Sequence, residues 1–176
     1  MSLKLLSSDA LSSWITDSHW LKLSNDRIIP NKLVECYEIA FANDGNAAAA
    51  FAGGLLTDFV PERIGSGIIW IYQIFPPEEA QIRVIHQTLH LYGYEKVSTQ
   101  DFRFHFQQDY GGLLSCLSWC LACGWGFYFL AESRQIFFRG SNENILDICW
   151  ARDEKMKDNI DSLLANLSAK RSRGHK

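Results

Sequence analysis

At 176 residues, with 47% hydrophobic and 21% charged side chains, the chain matches the averages of a soluble globular protein. A domain of this size hides roughly 70% of its unfolded surface, which excludes disorder and fibrous or collagen-like designs. The net charge of -3 is unevenly spread: residues 1–150 carry ten basic and sixteen acidic side chains, whereas 151–176 carry seven and four. An acidic body repels nucleic acid and favours encounter with basic partners. Residues 1–168 are expected to form one globular domain, and 169–176, AKRSRGHK, a flexible basic tail.

The N-terminus lacks a continuous apolar stretch and a small-residue cleavage site, so it is not a secretory signal. Ser8 and Asp9 can cap a first helix running to about residue 21, with Leu11, Trp14, Ile15 and Trp20 turned inward. Asn25 and Asp26 make a turn. Pro30 suits the first turn of a second helix over 30–43, where Leu33, Cys36, Tyr37 and Ala40 recur at helical spacing. The small apolar stretch 46–59 is open to either a strand or a short helix, since its alanines favour helix and Gly53-Gly54 opposes a long one.

Residues 67–75, GIIWIYQIF, are β-branched and aromatic, as in a strand buried on both faces. Pro76-Pro77 ends it, and a helix with Glu78 and Glu79 in its first turn runs to about Tyr92 and stops at Gly93. In 97–110, Phe102, Phe104 and Phe106 alternate with Arg103 and His105, the pattern of a half-buried strand. Residues 111–131 hold no charged side chain and are long enough to span a bilayer. Gly124 and Gly126 interrupt that run, however, and FYFL has strand character. A buried helix followed by a strand is therefore expected, with no membrane span. A turn at 132–134 and a strand QIFFR complete an antiparallel hairpin. Residues 141–144 form a turn and cap, and a final amphipathic helix covers 145–167. The order predicts an α+β or mixed α/β single domain, with helices packed on one twisted, partly antiparallel sheet.

Few residues combine into a site for chemistry. His86 and His90 lie one turn apart on a predicted helix, as zinc ligands do, and His105 is a third candidate. Gln87 stands where the glutamate of an H-E-x-x-H metalloprotease would be, and two ordinary helix histidines explain the spacing as well. Cys116, Cys120 and Cys123 share one helix face and pack as small apolar residues. With five cysteines, an odd number, and no disulfide framework, a reducing cytoplasm is indicated. There is no G-x-S-x-G nucleophile turn, and nothing in the spacing joins Cys149 to His105. Asp109-Tyr-Gly-Gly112 lacks the lysine and spacing of a phosphate loop. Arg103, the one cation among the DFRFHF aromatics, is flanked by Asp101 and Asp109, so no single-strand platform forms.

Charged residues instead border an aromatic-rich half: residues 101–150 hold twelve of the 23 aromatic side chains. Asp101, Arg103, His105 and Asp109 surround one strand, while Glu132, Arg134, Arg139, Glu143 and Asp147 surround the hairpin. Charged groups beside a rigid aromatic sheet suit a surface that binds a basic protein.

The run DYGGLLSCLSWCLACGWGFYFL, a turn, and QIFFRGSNENILDI together resemble small bacterial immunity proteins of polymorphic-toxin and contact-dependent inhibition systems. The resemblance covers about residues 109–148, a quarter of the chain, and residues 1–100 add nothing to it. It implies a cytoplasmic, non-catalytic protein that neutralises one cognate toxin by covering its active site. The expected partner-binding residues are Asp101, Arg103, Asp109, Glu132, Arg134, Glu143 and Asp147, with a basic toxin domain as partner. No cofactor, metal, nucleic acid or membrane is expected. The alternative is a metal-dependent enzyme using His86, His90 and His105.

Overall fold

The computed structural model describes residues 2–19, 21–25, 27–30, 35–40, 45–59, 66–74, 79–94, 102–131, 136–141, 143, 145–150, 158, 161–162 and 170–172. In chain order these form β1 (Ser2–Leu5), α1 (Ser8–Asp17), β2 (Leu21–Ser24), β3 (Arg27–Pro30), β4 (Glu35–Ala40), α2 (Gly45–Phe59), β5 (Gly67–Gln73) and α3 (Glu79–Leu91). They continue with β6 (Phe102–Gln107), α4 (Tyr110–Ala122), β7 (Gly126–Ala131), β8 (Ile136–Gly140), β9 (Ile145–Trp150) and β10 (Lys170–Ser172).

Side-chain alternation builds the sheet. In β6, Phe102, Phe104 and Phe106 are buried on one face while Arg103, His105 and Gln107 stay partly exposed on the other. In β5 and β7 the alternate side chains are buried on both faces, and these strands join β6 in one eight-stranded sheet ordered β1-β6-β5-β7-β8-β9-β4-β10. Every described pairing in it is antiparallel. The result is the expected α+β architecture.

The main core lies between one sheet face and helices α2, α3 and α4. It joins Phe51, Leu55, Leu117 and Cys120 to Ile69, Phe104, Phe129 and Phe138 of the strands. The opposite face buries Ile68, Trp70, Tyr128, Leu130 and Phe137 beneath α1 and the β2–β3 hairpin, through Leu11, Trp14, Ile15, Leu21 and Ile28. Because each central strand is covered on both faces, β5 and β7 are apolar along nearly their whole length.

Local signals set several boundaries. Ser7 Oγ accepts the Ala10 N–H at 3.2 Å and caps α1. That helix ends earlier than expected, before His19, whose φ is +64°. Asn25, with φ +50°, sits in the two-residue β2–β3 turn as a hairpin requires. Helices α3 and α4 both end on a left-handed glycine followed by an aromatic residue. After Gly93, the Tyr94 N–H returns to the Leu89 carbonyl at 3.1 Å; after Gly124, the Trp125 N–H returns to Cys120 at 2.9 Å. This double closure satisfies carbonyls that the helix leaves open and turns the aromatic ring back toward the core.

Three expectations need correction. The helix predicted over 30–43 is strand where described, with Pro30 ending β3 and 35–40 forming β4, and the predicted final helix is strand β9 at residues 145–150. Strands β4 and β9 pair with each other, Glu35 opposite Trp150 and Ala40 opposite Ile145, so their cross-strand bonds replace two helices at once. Helical backbone is found later at Asp158, Asp161 and Ser162. Within the basic stretch, Lys170–Ser172 pairs with β4 as β10. Strands β1, β2 and β3 were not foreseen. Residues 46–59, open to either element above, lie in helix α2, which carries Gly53 and Gly54 within it. The Trp20 side chain and the turn at 132–134 lie outside the described residues.

Candidate interaction face

Sheet register places a row of residues directly across the face opposite α2, α3 and α4. Arg103 of β6 faces Trp70 of β5, which faces Tyr128 of β7, then Arg139 of β8, Asp147 of β9 and Glu38 of β4. Neighbouring members touch. The Arg103 guanidinium lies 5.5 Å from the Trp70 ring centre, Trp70 and Tyr128 are 5.3 Å apart, and Tyr72 reaches Tyr128 at 4.9 Å. Arg139 Nη2 donates to Asp147 Oδ2 at 2.6 Å.

The middle of the row is closed. Trp70 and Tyr128 are buried under α1 and the hairpin, and a backbone hydrogen bond from Ile28 reaches the Tyr128 hydroxyl. Two charged ends remain, Arg103 with His105 toward β1 and Arg139, Asp147 and Glu38 toward β4. From Arg103 to Asp147 are four inter-strand steps of about 4.8 Å, roughly 19 Å in all. The second end is the more open, with the Arg139 side chain 48% exposed and that of Asp147 20%. Exposed Arg27 and Ile29 of the hairpin lie on the same face. Exposed Glu143 occupies the β8–β9 turn, where the Ser141 N–H bonds the Ile145 carbonyl at 3.0 Å.

Electrostatics at this end follow from partial burial. Desolvation raises the Asp147 carboxyl above its usual range, Arg139 opposes that rise, and Glu38 adds to it. Burial likewise raises Tyr72 and Tyr128, so both phenols stay protonated and neutral at physiological pH. The Tyr72 hydroxyl donates to the Gly140 carbonyl at 3.1 Å, pinning the end of β8 beside Arg139. Arg139 and Asp147 are thus a fixed, half-wet ion pair presenting charge, with no nucleophile held against a base.

The expected site residues scatter. Arg103, Asp147 and Glu143 lie at the two ends of this row or in the adjoining turn. Asp109 is on the other side of the sheet and only 5% exposed. Its Oδ1 accepts the Gly112 N–H at 3.0 Å as the cap of α4, and its Oδ2 accepts the Tyr92 hydroxyl at 2.5 Å. That carboxylate is engaged inside the fold and does not present itself to a partner. Asp101, Glu132 and Arg134 lie outside the described residues. Glu38 and Arg27 were missed. Glu38 was hidden by a helical reading of β4, although E-C-Y-E-I-A also alternates as a strand does.

The histidine set is not brought together. His86 and His90 are exposed on α3 over the helical face, His86 packing edge-on against Phe102 at 6.1 Å. His105 points from β6 to the opposite face, with the sheet between them. Among the described residues no group of three or more His, Cys, Asp or Glu is placed to hold a metal. Burial and neighbouring cysteines push the Cys120 thiol well up, and burial raises Cys123. These thiols pack and are not activated nucleophiles. Cys36 and Cys149, read as isolated, stand opposite each other in the β4–β9 register. No described helix is long and apolar enough to cross a membrane. No family model matches the chain, nor does any curated protein or solved structure.

Proposed function

We propose that the chain is a non-catalytic protein-binding module of the immunity type, acting in the cytoplasm. It neutralises a cognate toxin domain by covering that domain's active site. The observation that supports this most is the open end of the polar row. Glu38, Asp147 and Arg139 are held in register on three adjacent strands, with Glu143 exposed in the joining turn. A rigid surface of this kind loses little conformational freedom on binding, and its acidic groups attract a basic partner at long range. The acidic balance of residues 1–150 acts in the same sense.

The test is capture of the tagged protein's partner from native extract at low salt, followed by titration of the purified pair. A stoichiometric basic partner is expected, with association slowing as salt rises and affinity falling about tenfold or more for Glu143→Lys or Glu38→Lys. Binding indifferent to salt and to both charge reversals would overturn the reading.

A further inference from the structure

On the helical side, away from the charged row, α3 and α4 stand apart over the sheet and leave a cleft of about 270 Å³. Phe104 and Phe106 form its floor, while Tyr92, Trp119 and Trp125 line its walls. An interior of this kind is normally filled, because unfilled apolar space forfeits contacts on every side. Here the chain leaves it open. Gly111, in the first turn of α4, lines the cleft, and a Cβ built there would meet nothing within 4 Å. Leu91, also lining it, is 85% exposed, a large apolar side chain left at the mouth of the cleft.

The chemistry of the walls restricts what fits. Among the described residues no lining side chain is charged, and an ion entering an apolar cleft would lose its hydration without a counter-charge. The aromatic rings favour a flat π-system, through offset and edge-to-face contacts at ring-centre separations of about 4.5–7 Å. Volume sets the size: a cavity of about 150 Å³ takes one benzene ring, so a cleft of about 270 Å³ accommodates two fused rings. One polar substituent can be met at the rim by the exposed Ser115 hydroxyl. We propose that this cleft is a binding site for a small, uncharged, two-ring aromatic molecule carrying at most one hydroxyl or N–H group. The site lies across the sheet from the charged row, so it goes beyond the protein-binding reading and does not depend on it.

The probe is 2-naphthol at neutral pH, titrated calorimetrically and by quenching of tryptophan fluorescence, with 1-decanol as the acyl-chain comparator. Saturable one-to-one binding is expected, tighter for 2-naphthol than for 1-decanol, with a ligand-dependent rise in Tm. Gly111→Leu, which places a side chain in open space at the cleft, is expected to weaken binding at least about tenfold while the unliganded protein keeps its circular dichroism. Should Gly111→Leu fail to fold, Ser115→Phe at an exposed position of the same rim takes its place. Absence of saturable 2-naphthol binding, equal or tighter binding of 1-decanol, or binding unchanged by the blocking variant would each overturn the proposal.

Discussion

Asp109 joins α3 to α4 through one side chain, and its replacement by alanine removes two bonds at once. The first is the α4 cap at Gly112, for which loss of an aspartate typically costs about 1 kcal/mol. The second is the 2.5 Å bond from the Tyr92 hydroxyl to a charged acceptor, of a type contributing about 1.5–3 kcal/mol. Water can replace the cap at the half-exposed Gly112, and alanine also returns the cost of burying a carboxylate. These effects bring the expected net loss to about 2–3 kcal/mol. For a chain of this length that corresponds to a fall in Tm of about 5–10 °C. Urea denaturation of Asp109→Ala, Tyr92→Phe and the double variant would separate the two bonds. The Tyr92 bond is absent in either single variant, so the double variant should be more stable than additivity predicts, by about 1–2 kcal/mol. A coupling below about 0.5 kcal/mol would refute the reasoning, because it would mean that the short bond contributes nothing beyond packing.

Three further outcomes are expected. The Tyr92 phenol is pushed up to about 12 by burial and by its bond to Asp109, so between pH 10 and 12 the unfolded state gives up a proton that the folded state keeps, and stability falls. Tyr92→Phe lacks this loss, so the stability gap between wild type and variant should narrow as denaturation is repeated from pH 9 to 11.5; parallel curves would argue against the shift. The Tyr94 hydroxyl donates to the Leu3 carbonyl at 3.1 Å and accepts the Leu5 N–H at 3.2 Å, occupying the outer edge of β1 much as another strand would. Tyr94→Phe should cost about 1–2 kcal/mol and speed hydrogen exchange at the Leu5 amide, and unchanged exchange there would count against the edge role. Finally, a Cβ at Gly53 within α2 would meet nothing within 4 Å, so Gly53→Ala should stabilise the protein by about 0.5–1 kcal/mol in thermal unfolding.

The elements whose signals are local and unshared can be read from the residues alone. The Phe102, Phe104 and Phe106 alternation, the apolar run of β5, the glycines that close α3 and α4, and the charge-free helix followed by a strand over 111–131 were all legible. Each depends on periodicity or on one backbone position, and nothing distant competes with it. Segment 46–59 was balanced between helix and strand until packing against α4 decided it. Residues 35–40 and 145–150 read as helices, because six residues with four or five apolar ones satisfy a helical and an alternating pattern equally well. Each becomes a strand because the other is there to pair with, and no window on either segment contains that information.

The site divides along the same line. Glu143 and Asp147 were visible as charges beside the hairpin, but Glu38 joined them only through the β4–β9 register. Asp109 looked equivalent to Arg103 until the fold placed its carboxylate between Gly112 and Tyr92. Sequence distance cannot separate a cap from a surface charge, since the difference lies in which groups surround the carboxylate. The three histidines show this most plainly. His105 is close to α3 in sequence, but strand alternation turned it to the other face of the sheet, and an eight-stranded sheet is a barrier that spacing along the chain does not register.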